Sequence, residues 1–207
     1  MTIRIKAKQD ILASGVAAGL LSTAALALCG KLHGKRASAP VSAVSHWLWP
    51  QEARRTARPK ARHLIAGLLI HQTMSIAWAA FNALALAALR RALERGDGAA
   101  NCAPASDVST ATGAAATDVR DNGRTDDDMR QKSSRERTHR VALAAATTVA
   151  AAVGDYIVVP KRFTPGFEYH LSAAYIAAVY VAFGAGLMVP FMVERWTASR
   201  CIEEHAA

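Results

Sequence analysis

Cysteine is scarce in this 207-residue chain, and its three copies, Cys29, Cys102 and Cys201, form no CxxC pair. This spacing argues against a disulfide framework, a thiol-redox pair and a cysteine zinc site. The chain also has no serine elbow, no phosphate-binding loop and no paired catalytic acids. Without these signatures the sequence gives no reason to assign the protein to the common hydrolase or transferase classes. The sequence favours a non-enzymatic role and predicts no cofactor and no metal.

Acidic residues are also few, with 16 Asp and Glu against 25 Lys and Arg, which gives a formal net charge of +9. Such a balance can indicate nucleic-acid binding, but no recognised nucleic-acid module accompanies the charge. The basic residues instead flank apolar runs, where anionic lipid head groups would attract them. The predicted partner is therefore the lipid bilayer and not nucleic acid, and no protein partner can be identified.

Long uncharged runs are abundant. The chain is 52% hydrophobic and 20% charged, and these two values agree only if the apolar and charged residues are segregated. Roughly 20 apolar residues cross a hydrocarbon core about 30 Å thick. The predicted fold class is therefore all-α, a membrane-spanning four-helix bundle whose spans cover about 11–29, 64–89, 141–159 and 170–193.

Composition divides the chain into three parts. Residues 1–95 hold the first helical pair, with an interfacial helical segment at about 40–52 that contains Trp47 and Trp49. Residues 96–139 have few large apolar side chains and contain an acidic run, so they are predicted to form a disordered polar linker. Residues 140–207 hold a C-terminal helical hairpin. The first span is predicted to be retained rather than cleaved as a signal peptide.

Small and polar residues recur at helical spacing in the first two spans. Gly15, Gly19 and Ser22 share one face of the first span, which would let a neighbouring helix approach closely. Ser75 and Asn82 belong to a polar stripe on the second span that also includes His71. A polar stripe in an apolar helix is costly against lipid, so these residues are predicted to pack against other helices.

One acid, Asp155, lies inside the apolar part of the third span, just before a predicted turn at Thr164-Pro165-Gly166. Counting from the nearest span ends places Asp155 and His71 at similar depths below the same membrane face. The connections on that face carry His46, Glu168 and His170. These five residues are the predicted polar cluster.

Three interpretations of the polar cluster stay open. In the favoured one, Asp155 pairs with His71, or with Arg162 or Lys161, and stabilises the bundle, because intramembrane charges usually pair. In the second, His71 and Asp155 line a path or site for a small solute or a proton. The third, a metal or haem site, has good ligand types but lacks HxxxH or HxxE spacing.

Four spans place both termini and the linker on one side of the membrane. Near the span ends that side carries twelve basic residues, Arg4, Lys6, Lys8, Arg90, Arg91, Arg95, Lys132, Arg135, Arg137, Arg140, Arg195 and Arg200. The other side carries ten, Lys31, Lys35, Arg36, Arg54, Arg55, Arg58, Lys60, Arg62, Lys161 and Arg162. The positive-inside rule therefore predicts cytoplasmic termini by a narrow margin.

Three segments carry a resemblance, namely PVSAVSHWLWPQEA, LLIHQTMSIAWA and DYIVVPKRFTPGFE. Together they resemble a group of small multi-span inner-membrane proteins of proteobacteria that have no assigned function. The resemblance covers most of the chain outside residues 91–140. It implies a bacterial inner-membrane location and no particular activity. A double histidine in the second span would be a stronger ligand signal than the His71-Gln72 pair found there.

Overall fold

The computed structural model describes residues 2–55, 59–101 and 121–206, and these residues contain helices and no strand. The α-helices are α1 (Thr2–Leu32), α2 (Ser38–Ser42), α3 (Pro50–Arg55), α4 (Ala61–Asn101), α5 (Asp121–Val153) and α6 (Ala173–Ala206). Shorter helical turns cover Ala43–Trp47, Gly154–Val158 and Phe167–Tyr169. The predicted all-α fold class is confirmed.

Four of the helices are long and apolar enough to cross a bilayer. The qualifying stretches, with mean hydropathies of 1.5 to 2.1, are Lys8–Leu32, Ala61–Gly96, Met129–Val158 and Ala173–Thr197. Large apolar side chains point outward on each of them, and Leu20, Leu84, Val149 and Val181 are 61 to 70% exposed. Such a surface suits lipid rather than water. The predicted membrane-spanning four-helix bundle is confirmed, and the chain is a multi-pass membrane protein.

The spans α1, α4, α5 and α6 pack in a ring, and α1 makes its most extensive contacts with α6 and then with α4. Glycines allow the closest approaches. A Cβ atom built on Gly15 would lie 2.6 Å from the Cα of Ile76 on α4, and one on Gly186 would lie 2.6 Å from the backbone nitrogen of Ala18 on α1. Dispersion contacts at such short range hold helices together in lipid.

The middle of the bundle, which we call the waist, is a buried cluster of apolar side chains, most of them alanines, contributed by all four spans. Its members are Ala18, Ala79, Ala144, Ala151, Phe183, Leu187 and Met188. A second buried cluster, which includes Leu26, Val44 and Phe167, lies nearer one end of the bundle. We call that end the mouth, since the connecting residues 33–55, 59–60 and 159–172 lie there. The opposite end is the far end.

The segment after α1 is helical, as predicted, over Ser38–Ser42 and Ala43–Trp47. Residues 39–46 are all buried, and the segment packs on α1 and α4. The fit against α4 is close, because a Cβ on Gly67 would lie 2.5 Å from the carbonyl oxygen of Val41. This segment therefore covers the mouth as part of the protein core, and Leu48 at its end is 59% exposed.

The predicted linker 96–139 differs from the structure at both ends. Helix α4 continues to Asn101, and α5 already begins at Asp121, while the central residues 102–120 lie outside the described part of the chain. A prediction of disorder from low hydrophobicity overlooks these helical extensions, because arginine, glutamate, glutamine and lysine are polar and yet good helix formers. An established span also removes the cost of nucleating the helix that continues it.

The hairpin between α5 and α6 follows its sequence signals. Val159, before Pro160, has the extended angles φ −76° and ψ 144°, which is what a following proline favours. Gly166 has φ 81°, a left-handed conformation that glycine adopts without a steric cost. Before this turn, α5 passes into a π-helical turn over Gly154–Val158, which contains Asp155.

Candidate functional site

A cavity of about 60 Å³ lies between the spans just below the mouth. Its polar lining comes from the four spans, namely Ser22 on α1, His71 and Ser75 on α4, Asp155 in the turn that ends the third span, and Tyr180 on α6. Aromatic and apolar side chains form the rest of the wall, among them Trp47, Trp78, Phe167 and Phe183. We call this space the mouth cavity. It brings the predicted residues Asp155 and His71 to one site.

Asp155 accepts a hydrogen bond from the hydroxyl of Tyr180, with 2.6 Å between the oxygens. The π-helical turn places this carboxyl group, because one extra residue per turn redirects the side chains at the end of α5. This partner differs from the three that the sequence predicts for Asp155, namely His71, Arg162 and Lys161. The Arg162 guanidinium instead stacks on Phe163, 5.7 Å from the ring centroid.

His71 lies 2.9 Å from Ser22, measured between Nε2 and Oγ. The single Ser22 proton is directed to a backbone carbonyl, since Oγ is 2.7 Å from Ala18 O. Ser22 is therefore the acceptor toward His71, and this arrangement assigns the proton of the neutral ring to Nε2. The other ring nitrogen, Nδ1, is then a hydrogen-bond acceptor.

Tyr180 is absent from the residues that the sequence singles out. A tyrosine hydroxyl in the middle of a long apolar helix needs a polar partner, and this feature of the sequence could have identified Tyr180 as a site residue. The partner itself cannot be read from spacing, since Tyr180 and Asp155 belong to different helices.

Replacing Tyr180 with phenylalanine should lower thermal stability in detergent, by about 1 kcal/mol, because Asp155 would lose its donor inside the bundle. Tyr175→Phe is a matched control on the same helix, where the ring packs edge-on against His33 at 5.4 Å. The unfolding midpoint of each variant measures the effect. An equal change in the two variants would show that the Tyr180 hydroxyl contributes no specific bond.

The mouth is closed by contacts between its two connections. His46 is 1% exposed, with Nδ1 2.8 Å from Ala43 O and Nε2 3.1 Å from Arg162 O. Trp47 donates from its indole nitrogen to Thr164 O at 3.2 Å. Gly166 fits against the same histidine, because a Cβ there would lie 3.0 Å from His46 Nδ1. The predicted candidate His46 thus joins the two connections and does not line the mouth cavity.

Glu168 and His170 lie in the second connection, outside the mouth cavity. The Glu168 carboxylate accepts a hydrogen bond from Thr164 at 3.1 Å, so it shapes the turn. Burial lowers the pKa of His170, the positive charge of Lys35 lowers it further, and the Glu168 carboxylate acts in the opposite direction. The two residues are near enough for their charges to interact, and neither lines the mouth cavity.

The lowered pKa of His170 predicts a loss of stability in acid. Because the folded protein resists protonation of His170, the unfolded chain binds more protons as pH falls through 6.5, the ordinary value. Stability from the neutral ring is complete above that pH and declines below it. Between about pH 8 and about pH 5 the native chain should lose more thermal stability than His170→Gln. Parallel losses in the two proteins would contradict this assignment.

His63, at the start of α4, is a buried histidine outside the predicted cluster. It is 1% exposed, its Nε2 lies 3.5 Å from Glu52 Oε2, and its ring packs edge-on against Trp49. Arg62 pairs with Glu52 and also stacks on Trp49, 5.1 Å from the ring centroid. The hydrogen bond from Arg62 lowers the pKa of Glu52. This group anchors α3 to the first turn of α4.

The predicted packing residues lie between helices. Gly15 faces Ile76, while a Cβ on Gly19 would meet the side chain of Gln72, which itself donates to Gly15 O at 3.0 Å. On the second span, Asn82 Oδ1 accepts a hydrogen bond from Thr147 on α5 at 3.0 Å.

Ser75 is buried, with 3% of its surface exposed, and its hydroxyl donates a hydrogen bond to the backbone carbonyl of His71 in the same helix. Its position in the lining of the mouth cavity makes it a site residue as well as a packing residue.

Within residues 2–55, 59–101 and 121–206, no group of three or more His, Cys, Asp or Glu side chains is placed to hold a metal ion. Comparison with known proteins adds no assignment, because no family model, no curated protein and no solved structure matches this chain. The class established by the fold is a multi-pass membrane protein with four spans.

Proposed function

We propose that this membrane protein binds a small hydrogen-bonding solute in the mouth cavity. The observation that carries the proposal is that one cavity joins two polar pairs, Asp155 with Tyr180 and His71 with Ser22, from all four spans. Sites for small molecules typically combine an apolar wall with a few convergent polar groups. A cavity of about 60 Å³ has room for a few water molecules or one small solute.

The cavity offers mainly hydrogen-bond acceptors. Asp155 uses one oxygen toward Tyr180, and a carboxyl group has further acceptor sites. His71 presents Nδ1 as an acceptor once Nε2 donates to Ser22. A solute that carries N–H or O–H donors therefore complements the site better than one that carries only acceptors. Amides, amines, alcohols and hydrated protons share this property.

Acrylamide, a small amide that quenches tryptophan fluorescence, tests whether such a solute enters. Trp47 and Trp78 line the cavity, so Trp49 and Trp196 are first replaced with phenylalanine. Adding Ser75→Leu should fill the cavity and reduce quenching. Thr73→Leu is the matched control, because Thr73 is an exposed residue of the same helix whose hydroxyl makes the same kind of bond, to Leu69 O. Equal quenching in the two variants would refute entry at this site.

Retention of a natural solute is a separate measurement. Protein purified in mild detergent is extracted, and the released small molecules are identified by mass spectrometry. We expect at least one compound with N–H or O–H donors that is present with the native chain and Thr73→Leu and is absent with Ser75→Leu. An identical set of compounds from all three proteins would contradict the proposed function.

A structural role for the same residues is the second candidate, and the hydrogen bonds between spans favour it. Here Asp155 and His71 stabilise the bundle without binding a solute. Thermal stability in detergent should then fall in Asp155→Asn and in His71→Ala, while solute retention plays no part. Unchanged stability in both variants would rule out this role.

We further propose a bacterial inner-membrane location with cytoplasmic termini. The resemblance to small inner-membrane proteins of proteobacteria supports the location, and the excess of twelve basic residues over ten supports the orientation. A fluorescent reporter that folds only in the cytoplasm, fused after Ala207, should fluoresce. A periplasmic phosphatase fused at the same place should be inactive, and the reverse pattern would invert the orientation.

A further inference from the structure

A second cavity lies between the four spans at the far end, and it shares no lining residue with the mouth cavity. Its volume is about 330 Å³. The buried waist residues around Ala18 and Phe183 lie between the two cavities. Apolar side chains form the base of this far cavity, among them Ile11, Leu143 and Leu187.

Charged side chains form the rim of the far cavity, and each of the four spans contributes one. They are Asp10 on α1, Arg90 on α4, Arg140 on α5 and Glu194 on α6. Each of them lies at or near the end of an apolar run, which is the level of the lipid head groups when the runs occupy the hydrocarbon core. The charged residues that line the cavity therefore comprise two cations and two anions above an apolar base.

Two contacts fix the positive side of the rim. Arg90 and Arg140 both bind the Glu136 carboxylate, and the Arg140 Nη2 atom lies 3.1 Å from it. The Arg140 guanidinium also stacks on Phe191, a lining residue, 4.6 Å from its ring centroid. The two guanidinium groups share one carboxylate, so this part of the rim keeps a net positive charge.

We propose that the far cavity binds one membrane phospholipid with a zwitterionic head group. An acyl chain would fill the apolar base, and Arg90 and Arg140 would bind the phosphate, because guanidinium groups suit phosphate oxygens. Asp10 would bind the ammonium group, and Glu194 adds negative charge on the same side of the rim. The two acids disfavour a head group with net negative charge, and the apolar base disfavours a soluble solute. This site is independent of the mouth cavity.

Native mass spectrometry of the full chain in detergent tests the site. The probes are phosphatidylethanolamine and phosphatidylglycerol with identical acyl chains, and glycerophosphoethanolamine, which has the same head group without chains. We expect one phosphatidylethanolamine to be retained in preference to phosphatidylglycerol, and the chain-free probe not to bind. Tighter binding of phosphatidylglycerol would overturn the head-group assignment, and binding of the chain-free probe would overturn the role of the apolar base.

Adjacent alanines provide a matched pair of variants. Ala87 lines the far cavity, whereas Ala88 is exposed on the outer surface of α4. Ala87→Trp should weaken phosphatidylethanolamine binding about tenfold or more, a change of about 1.4 kcal/mol, and Ala88→Trp should leave it unchanged. Equal binding by the two variants would place the lipid elsewhere.

A substitution in the rim can be measured even if Ala87→Trp does not yield folded protein. Asp10→Asn removes one negative charge from the exposed part of the rim. It should reduce the preference for phosphatidylethanolamine over phosphatidylglycerol while both lipids still bind. An unaltered preference would show that Asp10 does not bind the ammonium group and would overturn the zwitterionic assignment.

Discussion

Replacing Gly186 with leucine should unfold the bundle or separate α6 from α1. A Cβ at this position would lie 2.6 Å from the backbone nitrogen of Ala18 and 2.9 Å from the carbonyl carbon of Ala17. These are backbone atoms of a neighbouring helix, so no side-chain rotation can relieve the clash. The expected loss is about 3 kcal/mol or more, at the upper end of overpacking costs. The thermal midpoint and the size-exclusion profile in detergent measure it.

Gly96→Ala is the control for this substitution. A Cβ on Gly96 would meet no atom within 4 Å, and Gly96 also lies inside a helix, α4. Alanine has the higher helix propensity, so stability should stay the same or rise by up to about 1 kcal/mol. If Gly186→Leu behaves like Gly96→Ala, then α1 and α6 do not pack as closely as the structure shows.

Replacing His46 with alanine should open the mouth. The ring is buried and lies between Ala43 O and Arg162 O, so its removal leaves a cavity and takes away the ring N–H that one of these two carbonyls accepts. We expect a loss of about 2–4 kcal/mol from these effects together. Limited proteolysis should also cut residues 33–55 faster, because this segment would no longer be held by the hairpin.

His33→Ala is the matched control for the mouth. His33 is exposed, and its ring packs edge-on against Tyr175 at 5.4 Å. The cost should be within about 0.5 kcal/mol, as for most surface substitutions. Equal protection of the connection in His46→Ala and His33→Ala would show that His46 does not hold the two connections together.

The number of spans was predictable because bilayer thickness alone sets the length of an apolar run. The turn at Thr164-Pro165-Gly166 was also predictable, since proline and glycine restrict or free the backbone locally. The sequence placed Asp155 and His71 at similar depths by counting residues, and the structure has both in the lining of one cavity.

The partners of these two residues were not predictable. They depend on how each helix is rotated about its axis and on which spans are neighbours in the ring, and neither follows from span length or polarity. Asp155 therefore bonds to the Tyr180 hydroxyl and His71 bonds to the Ser22 hydroxyl, instead of Asp155 and His71 bonding to each other. The π-helical turn at Gly154–Val158 adds a rotation that helical spacing does not anticipate.

The burial of residues 39–46 could not be predicted from the sequence either. Tryptophans next to an apolar run are typical of the membrane interface, and for this segment they predict an interfacial helix without indicating that it is buried. The structure shows it packed on α1 and α4, because Gly30 and Gly67 leave room for Pro40 and for the backbone at Val41. A glycine that admits a distant segment cannot be distinguished, in one sequence, from a glycine that admits a neighbouring helix.

The extensive contact between α1 and α6 also sets the order in which the molecule can be completed. Among the four described spans, α1 is synthesised first and α6, its main partner, is synthesised last. Until α6 is inserted, the surface of α1 around Ala18 has only α4 beside it. The waist can therefore close only after α6 has been inserted beside α1.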